Sequence, residues 1–327
     1  MEDRYYVIGI DGGASKTRGV LFSENGDTLA AAVEAGSNLA VYGELAGDRI
    51  KSIVINLCQA ANIPVDHVDA IGLGLAGASD EDGREMVFKV LDELKLSQRA
   101  IIANDAEAAY ELNCPGDFGI LVTVGTGVIC ISRNAEGKTI RTAGKGHDNG
   151  DIGSGFWMGK QGMLHLSLNE TAIEGDGDLE SMMEAFLSKY PEENFQDIVN
   201  NIYESSEAVA QIADFSEDIL NLAECENELA VSIVQEASHA VAEYIIALTE
   251  EMNYTEKQIV LAGNGSVIRN EHFRKSVNDD LRFHFPEIKW TFSAISPAYG
   301  AGIMAAKIQN VDVKIGDVMK GNALAST

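Results

Sequence analysis

The chain has 327 residues, 46% of them hydrophobic, which is enough for two domains with sizeable cores. Its formal net charge is −27. A surface of that sign repels phosphate backbones and anionic membranes, so neither nucleic acid nor a membrane is expected as a partner.

The start, MEDRYYVIG, lacks the basic and apolar regions of a signal peptide, and no apolar run reaches about 18 residues. Cys58, Cys114, Cys130 and Cys225 stand far apart with no C-x-x-C, as expected of reduced thiols in a cytoplasmic protein. Tyr5–Phe22 reads YYVIGIDGGASKTRGVLF. An apolar, β-rich run reaches Asp11, then Gly12, Gly13, Ala14, Ser15, Lys16 and Thr17, and a second β-rich run leaves from Gly19. Asn25-Gly26 marks the next tight turn. The glycines therefore belong at a hairpin tip, where a missing Cβ lets backbone N–H groups approach an anion. Ser15 and Thr17 add hydroxyls, and Asp11 could hold a hydrated Mg²⁺ beside a polyphosphate. An ordinary Gly-rich hairpin with a solvated Asp is the alternative.

A third strand follows over Thr28–Ala35, broken at Ala35–Asn38. Apolar positions at helical spacing predict a helix over Leu45–Ala61, with Pro64 beyond its end. Val68–Leu75 reads as a buried strand, Arg84–Leu94 as a helix and Ala100–Ala103 as a strand stopping at Asn104-Asp105. A short helix, Ala106–Leu112, ends before Cys114–Asp117, and Pro115-Gly116 is the predicted domain boundary. The second half begins by repeating the first. Phe118–Val124 is a strand, Gly125-Thr126-Gly127 a tip, Val128–Ser132 a returning strand and Glu136-Gly137 the next turn. The two tips lie about 110 residues apart, which implies two related lobes, residues 1–115 and 116–327, with the tips facing each other across a cleft. Gly144–Gly159 reads as a long glycine-rich loop and Ala172–Tyr203 as acidic and helical. Leu229–Met252 is a strongly amphipathic helix. Gln258–Leu261 is a strand opening onto Ala262–Ser266, followed by a helix at Glu271–Leu281, a strand at Lys289–Phe292 and a small-residue helix at Ala298–Lys307. From about Val311 the tail has no assignable periodicity.

Five stretches occur in order: Asp11–Thr17, Asn104–Ala106, Gly125–Gly127, Ala262–Ser266 and SPAYGAG at Ser296–Gly302. This order resembles the nucleotide-site motifs of the sugar kinase, heat-shock protein and actin superfamily. GHDNGDIGSGFWMG (Gly146–Gly159) and GLAGASDEDGR (Gly74–Arg84) are similar to the N-acetylglucosamine kinase branch, within the BadF/BadG/BcrA/BcrD ATPase group. The resemblance implies an α/β fold of two ribonuclease H-like lobes, the actin-like ATPase fold, with a central cleft and the last helix packing back on the first lobe. It implies an ATP-dependent, Mg²⁺-requiring kinase acting on the 6-hydroxyl of N-acetylglucosamine or a related amino sugar. The expected partners are ATP, a small amino sugar and a second copy of the chain.

By the same resemblance Asp105 is the general base, which must lie within hydrogen-bond reach of the sugar hydroxyl. The alternative is that Asp105 only caps the helix after it. Asp11 is the carboxylate toward Mg²⁺. Gly12, Gly13, Ser15, Lys16, Thr17, Gly125, Thr126, Gly127, Ala262 and Gly263 are the nucleotide-binding residues. Asn38, Asp105, Gly144, Lys145, Gly146 and Asp151 are the sugar-binding ones, with an Asx-turn and a solvated loop carboxylate as the alternatives for Asn38 and Asp151. His147 bonds the sugar or orders its loop. The chain departs from the family pattern at Lys145, where a Trp is usual, and at Ile152, where a Glu is usual. A Lys there favours a sugar carrying a carboxylate, such as N-acetylmuramic acid; a glucosamine kinase is a further alternative. An ATPase driving a partner protein is the competing class, but such activators carry cluster-ligating cysteines, which this spacing does not offer. Gly72–Gly77 (GLGLAG) also fits a dinucleotide fingerprint, on a strand that is not the first of the fold.

Overall fold

The computed structural model describes residues 4–114, 119–134, 136–147, 151–169, 173, 175–190 and 194–314. Pro115-Gly116, Asp148–Gly150 of the glycine-rich loop and the tail beyond residue 314 lie outside them. The described residues form two compact units, one from residues 4–114 with 293–314, the other from residues 119–292.

The first unit runs β1 (Tyr6–Gly12), β2 (Lys16–Ser23), β3 (Thr28–Ala35), α1 (Leu39–Tyr42), α2 (Glu44–Ala61), β4 (Ala70–Leu75), α3 (Glu81–Glu93), β5 (Ala100–Ala103) and α4 (Asp105–Asn113). Its sheet is ordered β3-β2-β1-β4-β5, antiparallel through β1 and parallel from β1 to β5. Asn25-Gly26 closes the second hairpin, with Gly26 at φ 85°. One face of the sheet carries Ile8, Ile10, Leu21, Ile71 and Leu73 against Ile50, Ile53, Val54 and Leu57 of α2, all fully buried.

In the second unit come β6 (Ile120–Val124), β7 (Val128–Arg133), β8 (Thr139–Ala143), α5 (Gly155–Leu168), α6 (Gly177–Leu187), α7 (Phe195–Glu204), α8 (Ala208–Glu224), α9 (Glu228–Glu251), β9 (Gln258–Asn264), α10 (Ser266–Arg269), α11 (Glu271–Leu281) and β10 (Glu287–Phe292). Its order, β10-β9-β6-β7-β8, repeats the first sheet strand for strand, with β6 in the place of β1, and so do its parallel and antiparallel pairings. Both units are thus ribonuclease H-like. The chain then enters the first unit again as α12 (Pro297–Ile308).

α12 lies on the second face of the first sheet, and glycines decide how closely. A Cβ on Gly9 would stand 1.8 Å from the Ala298 carbonyl oxygen, and one on Gly72 1.8 Å from that of Ala301. A Cβ on Gly74 would meet Ala108 of α4 at 2.5 Å. The GLGLAG stretch is therefore a packing stripe for α12 and α4, and no dinucleotide fingerprint is needed to explain it.

Five elements differ from the sequence reading. β8, α8 and the one-turn helices α1 and α10 are not among the predicted elements. α5 occupies a run read as loop, because Gly155, Gly159 and Gly162 are spaced as one helical face rather than as a turn. That face meets α8, where a Cβ on Gly159 would stand 1.8 Å from the Ile212 carbonyl oxygen.

Candidate active site

In the first unit the candidate residues Asp11, Asn104 and Asp105 lie at the carboxyl ends of β1 and β5, the end at which open α/β sheets bind ligands. Asp11 pairs across β2 with Arg18 and across β4 with Gly74, and Gly74 in turn pairs with Ala103. Asn104 and Asp105 follow directly. Registered partners share a face, so Asp11 points to the side of the sheet that α4 and α12 cover. Gly74, with no side chain, lets the start of α4 pack close: a Cβ there would stand 3.4 Å from Asp105 Cα. Burial, helped by the Asp105 charge and opposed by Arg18 and Lys16, pushes the Asp11 carboxyl up to about 7. Asp105 is raised as well, by burial, against the backbone N–H groups of Ala106 and Asp105.

Asp105 is not the cap of α4. Asn104 is, with extended backbone (φ −70°, ψ 148°) and its side chain accepting from Ala106 N. Glu107 closes the capping box by accepting from Asn104 N at 3.1 Å. The Asp105 carboxylate, which accepts from Ala106 N at 2.9 Å, sits at the first position of the helix with the capping already done.

The first hairpin tip is exposed at Ser15 and Lys16. Gly12 and Thr17 face inward instead. A Cβ on Gly12 would stand 2.2 Å from Ser37 Oγ. Thr17 is fully buried; its hydroxyl donates to the Ala35 carbonyl at 2.7 Å and lies 2.8 Å from Ser37 Oγ. The expected donor role of Thr17 is corrected by this geometry: its hydroxyl braces the tip from inside. Gly13 does lie open, its Cβ position meeting only Lys16 O at 3.6 Å. Asn38 caps α1, its side-chain oxygen accepting from Ala40 N at 3.0 Å, so the Asx arrangement is present there.

In the second unit, Gly125-Thr126-Gly127 joins β6 to β7, and Gly125 N donates to Gly127 O at 2.9 Å. The start of α5 is docked on this tip, with Gly155 N donating to Gly125 O at 2.7 Å and Phe156 N to Thr126 O at 3.1 Å. Neither Gly125 nor Gly127 is a glycine for packing reasons. Their backbones are outside the left-handed region, and a Cβ would meet Gly265 Cα at 3.7 Å in the first case and Asp151 Oδ2 at 3.9 Å in the second. Gly265 is the opposite case, at φ 96° with a Cβ position 2.3 Å from Val124 O. Ala262 is buried inside β9, and the Cβ position of Gly263 is filled by the Phe292 ring at 2.2 Å. At that strand end, then, Gly265 and Ser266 reach the tip while Ala262 and Gly263 do not.

Asp151 is buried, and its two oxygens accept from Lys145 N at 2.8 Å and Gly146 N at 3.2 Å. Burial raises its carboxyl, while those amides and that of Gly144, with the His147 charge, hold it down. Lys145 is exposed and Ile152 is 37% exposed. His147 stacks edge-on against Phe156 at 5.2 Å.

Residues 8–305 match the BadF/BadG/BcrA/BcrD ATPase family. The chain belongs to that family. It is 28% identical over 313 residues to an N-acetylmuramic acid/N-acetylglucosamine kinase of Clostridium acetobutylicum, covering 92% of this chain and 98% of the relative. It is 25% identical over 312 residues to an N-acetyl-D-glucosamine kinase of Dictyostelium discoideum, covering 91% and 97%. Among solved structures, that of a candidate N-acetylglucosamine kinase from Chromobacterium violaceum superposes with a TM-score of 0.73 at 23% identity, covering 93% of this chain and 99% of that one. At that identity the likeness speaks for the fold.

Among the described residues no three His, Cys, Asp or Glu side chains converge as a metal site, so a cation near Asp11 would take most of its ligands from water or a bound phosphate. No described helix is long and apolar enough to cross a membrane. Gly265 and the amino end of α5 are the tip neighbours that sequence reasoning missed. The signal for Gly265 was present in Ala262–Ser266, as the second glycine of that run.

Proposed function

We propose that the chain is an ATP-dependent kinase that transfers a phosphoryl group to the 6-hydroxyl of N-acetylglucosamine or a related amino sugar. The observation that carries this reading is Asp105, a half-buried carboxylate raised by burial and relieved of capping by Asn104. A base poised closer to neutral pH suits removal of a hydroxyl proton in the transition state. Asp105 takes the proton of the sugar 6-hydroxyl. That oxygen bonds to the γ-phosphorus as the bond to the bridging oxygen breaks, leaving ADP. The family and the two kinases compared above, each alignment covering more than nine-tenths of both chains, support the substrate class.

The open glycines Gly13, Gly125 and Gly127 fit a polyphosphate, because backbone can approach oxygen atoms only where no Cβ intervenes. Ser15, Lys16 and Thr126 add donors at the two tips. Gly12 and Thr17 brace the first tip from beneath, and Gly263 packs under Phe292 within the second unit. Asp11 fits a hydrated Mg²⁺: a half-buried carboxyl raised to about 7 gains from a nearby cation. Bound there, the ion would neutralise phosphate charge. Asn38 and the Gly144–Gly146 loop are the sugar-binding elements, with Asp151 holding that loop rather than contacting sugar directly. The four cysteines, none joined in a disulfide, fit a cytoplasmic enzyme.

A coupled ADP-release assay over a panel of amino sugars tests the reading. Sugar-dependent turnover with N-acetylglucosamine is expected; ATP hydrolysis indifferent to every sugar would favour the partner-driving ATPase class. Gly125→Val is expected to fold, since its Cβ meets nothing closer than 3.7 Å, and to weaken ATP binding by about tenfold or more. Unchanged ATP affinity by calorimetry would remove Gly125 from the site. Substrate range is set by Lys145 and Ile152. An ammonium near the sugar contributes about 1.5–3 kcal/mol to binding a lactyl carboxylate, roughly ten- to a hundredfold. The kcat/KM ratio for N-acetylmuramic acid over N-acetylglucosamine should therefore fall in Lys145→Trp. An unaltered ratio would mean that Lys145 serves only the surface.

A further inference from the structure

Two successive peptides of the first hairpin tip are pinned by their carbonyls. The Gly13 carbonyl accepts from Ser37 N at 3.0 Å, and the Ala14 carbonyl accepts from the Tyr42 hydroxyl at 2.7 Å. In a trans peptide the C=O and N–H point in opposite directions. Drawing both carbonyls toward residues 37–42 therefore turns the Ala14 and Ser15 N–H groups away from that segment, side by side, as in an anion-binding nest. Tyr42 is itself held. The Arg49 guanidinium lies 4.5 Å over its ring and donates to the Gly36 carbonyl. Gly36 is where the two segments touch, for a Cβ there would stand 1.9 Å from the Ala14 carbonyl oxygen.

The hairpin closes without this bond. Gly12 pairs with Thr17, Gly13 N donates to Lys16 O at 3.0 Å, and the Thr17 hydroxyl ties the tip to Ala35. What the Tyr42 hydroxyl adds is direction. We infer that Tyr42 is a positioning residue for phosphoryl transfer, its hydroxyl fixing the Ala14–Ser15 peptide so that the Ser15 amide meets the phosphates of the nucleotide. The inference rests on the kinase reading above. Without the hydroxyl the peptide is free to rotate, and its carbonyl, the negative end of the dipole, then competes for the place of the amide.

Tyr42→Phe keeps the ring and its stacking on Arg49 and removes only the donor. The expected result is about a tenfold rise in the ATP dissociation constant, an unchanged adenosine dissociation constant, a lower kcat, a sugar KM within about twofold of wild type, and an unchanged melting temperature. A hydroxyl that merely stiffens the fold would lower the melting temperature and leave the ratio of ATP to adenosine affinity at its wild-type value; that ratio, unchanged in the folded variant, overturns the inference. Wild-type chain supplies a second measurement. The Ala14 and Ser15 amide resonances should shift on adding ATP and stay in place with adenosine, and resonances insensitive to ATP overturn the inference equally. Both binding readouts stand if no amino sugar is phosphorylated, whereas the turnover comparison tests the kinase reading itself.

Discussion

Asp105→Asn should fold as the wild type does, bind ATP with unchanged affinity, and turn over the sugar about 10²–10⁴-fold more slowly, the usual contribution of a general base. The folding half of this result follows from the start of α4. Asn104 and Glu107 form the capping box, and an Asn at 105 retains an oxygen to accept from Ala106 N. The catalytic half follows from the proton. A carboxylate accepts it and a carboxamide does not. Because burial raises the Asp105 carboxyl, the wild-type rate should fall on acidification at a higher pH than an exposed aspartate would set, and the variant should lose that acidic limb. Wild-type turnover in the purified variant would remove Asp105 from the chemistry.

Asp11→Asn should do two opposite things, abolishing Mg²⁺-dependent turnover while stabilising the ligand-free protein at neutral pH. The folded Asp11 carboxyl is raised from 3.8 to about 7, so the folded state keeps a proton that the unfolded chain has released. The stability contributed by that proton is complete below about pH 4 and is lost as pH rises to about 7. A shift of that size corresponds to at most roughly 4 kcal/mol, near 2–4 °C of melting temperature per kcal/mol in a chain of this size. The amide carries no such penalty. Melting curves of the two proteins should coincide near pH 4, diverge with increasing pH in favour of Asp11→Asn, and run parallel above pH 7. A wild type as stable as the variant at pH 8 would show that the Asp11 carboxylate is not penalised by burial. The trade of stability for function is the usual one at a charged site held ready for a ligand.

How much of this was legible in the sequence depends on which interactions are local. Thr28–Ala35 and Ala100–Ala103 read as strands with the bounds the structure has, because alternation and flanking breakers are properties of the segment alone. The repeated strand–tip–strand was legible for the same reason, and the strand orders of the two sheets bear out the duplication. β8 was not, since TIRTA has little apolar signal and owes its place to pairing with β7. α5 was hidden by its glycines, which read as loop until α8 supplies the surface they fit. At the site, the direction of a side chain was the illegible part. Thr17 and Ser15 are two residues apart with similar hydroxyls, yet one is sealed inside the hairpin and the other exposed at its tip. Likewise Asn104 and Asp105 both suit a helix start, and only the extended backbone at Asn104 decides which of them is left for other work.

The packing of α12 on the glycine stripe of β1 and β4 also sets an order of events during synthesis. The strands of the first sheet leave the ribosome early, but the helix that covers Gly9 and Gly72 is the last described element of the chain. Residues 119–292 can reach their native pairings while the second face of the first sheet is covered by α4 alone. The unit that begins the chain is therefore finished last. Until residue 308 has emerged, a bare stripe of glycine backbone and the apolar side chains of Val7, Val20, Phe22 and Ala70 beside it wait for cover, and this is the stage at which a nascent chain of this protein has most need of a chaperone.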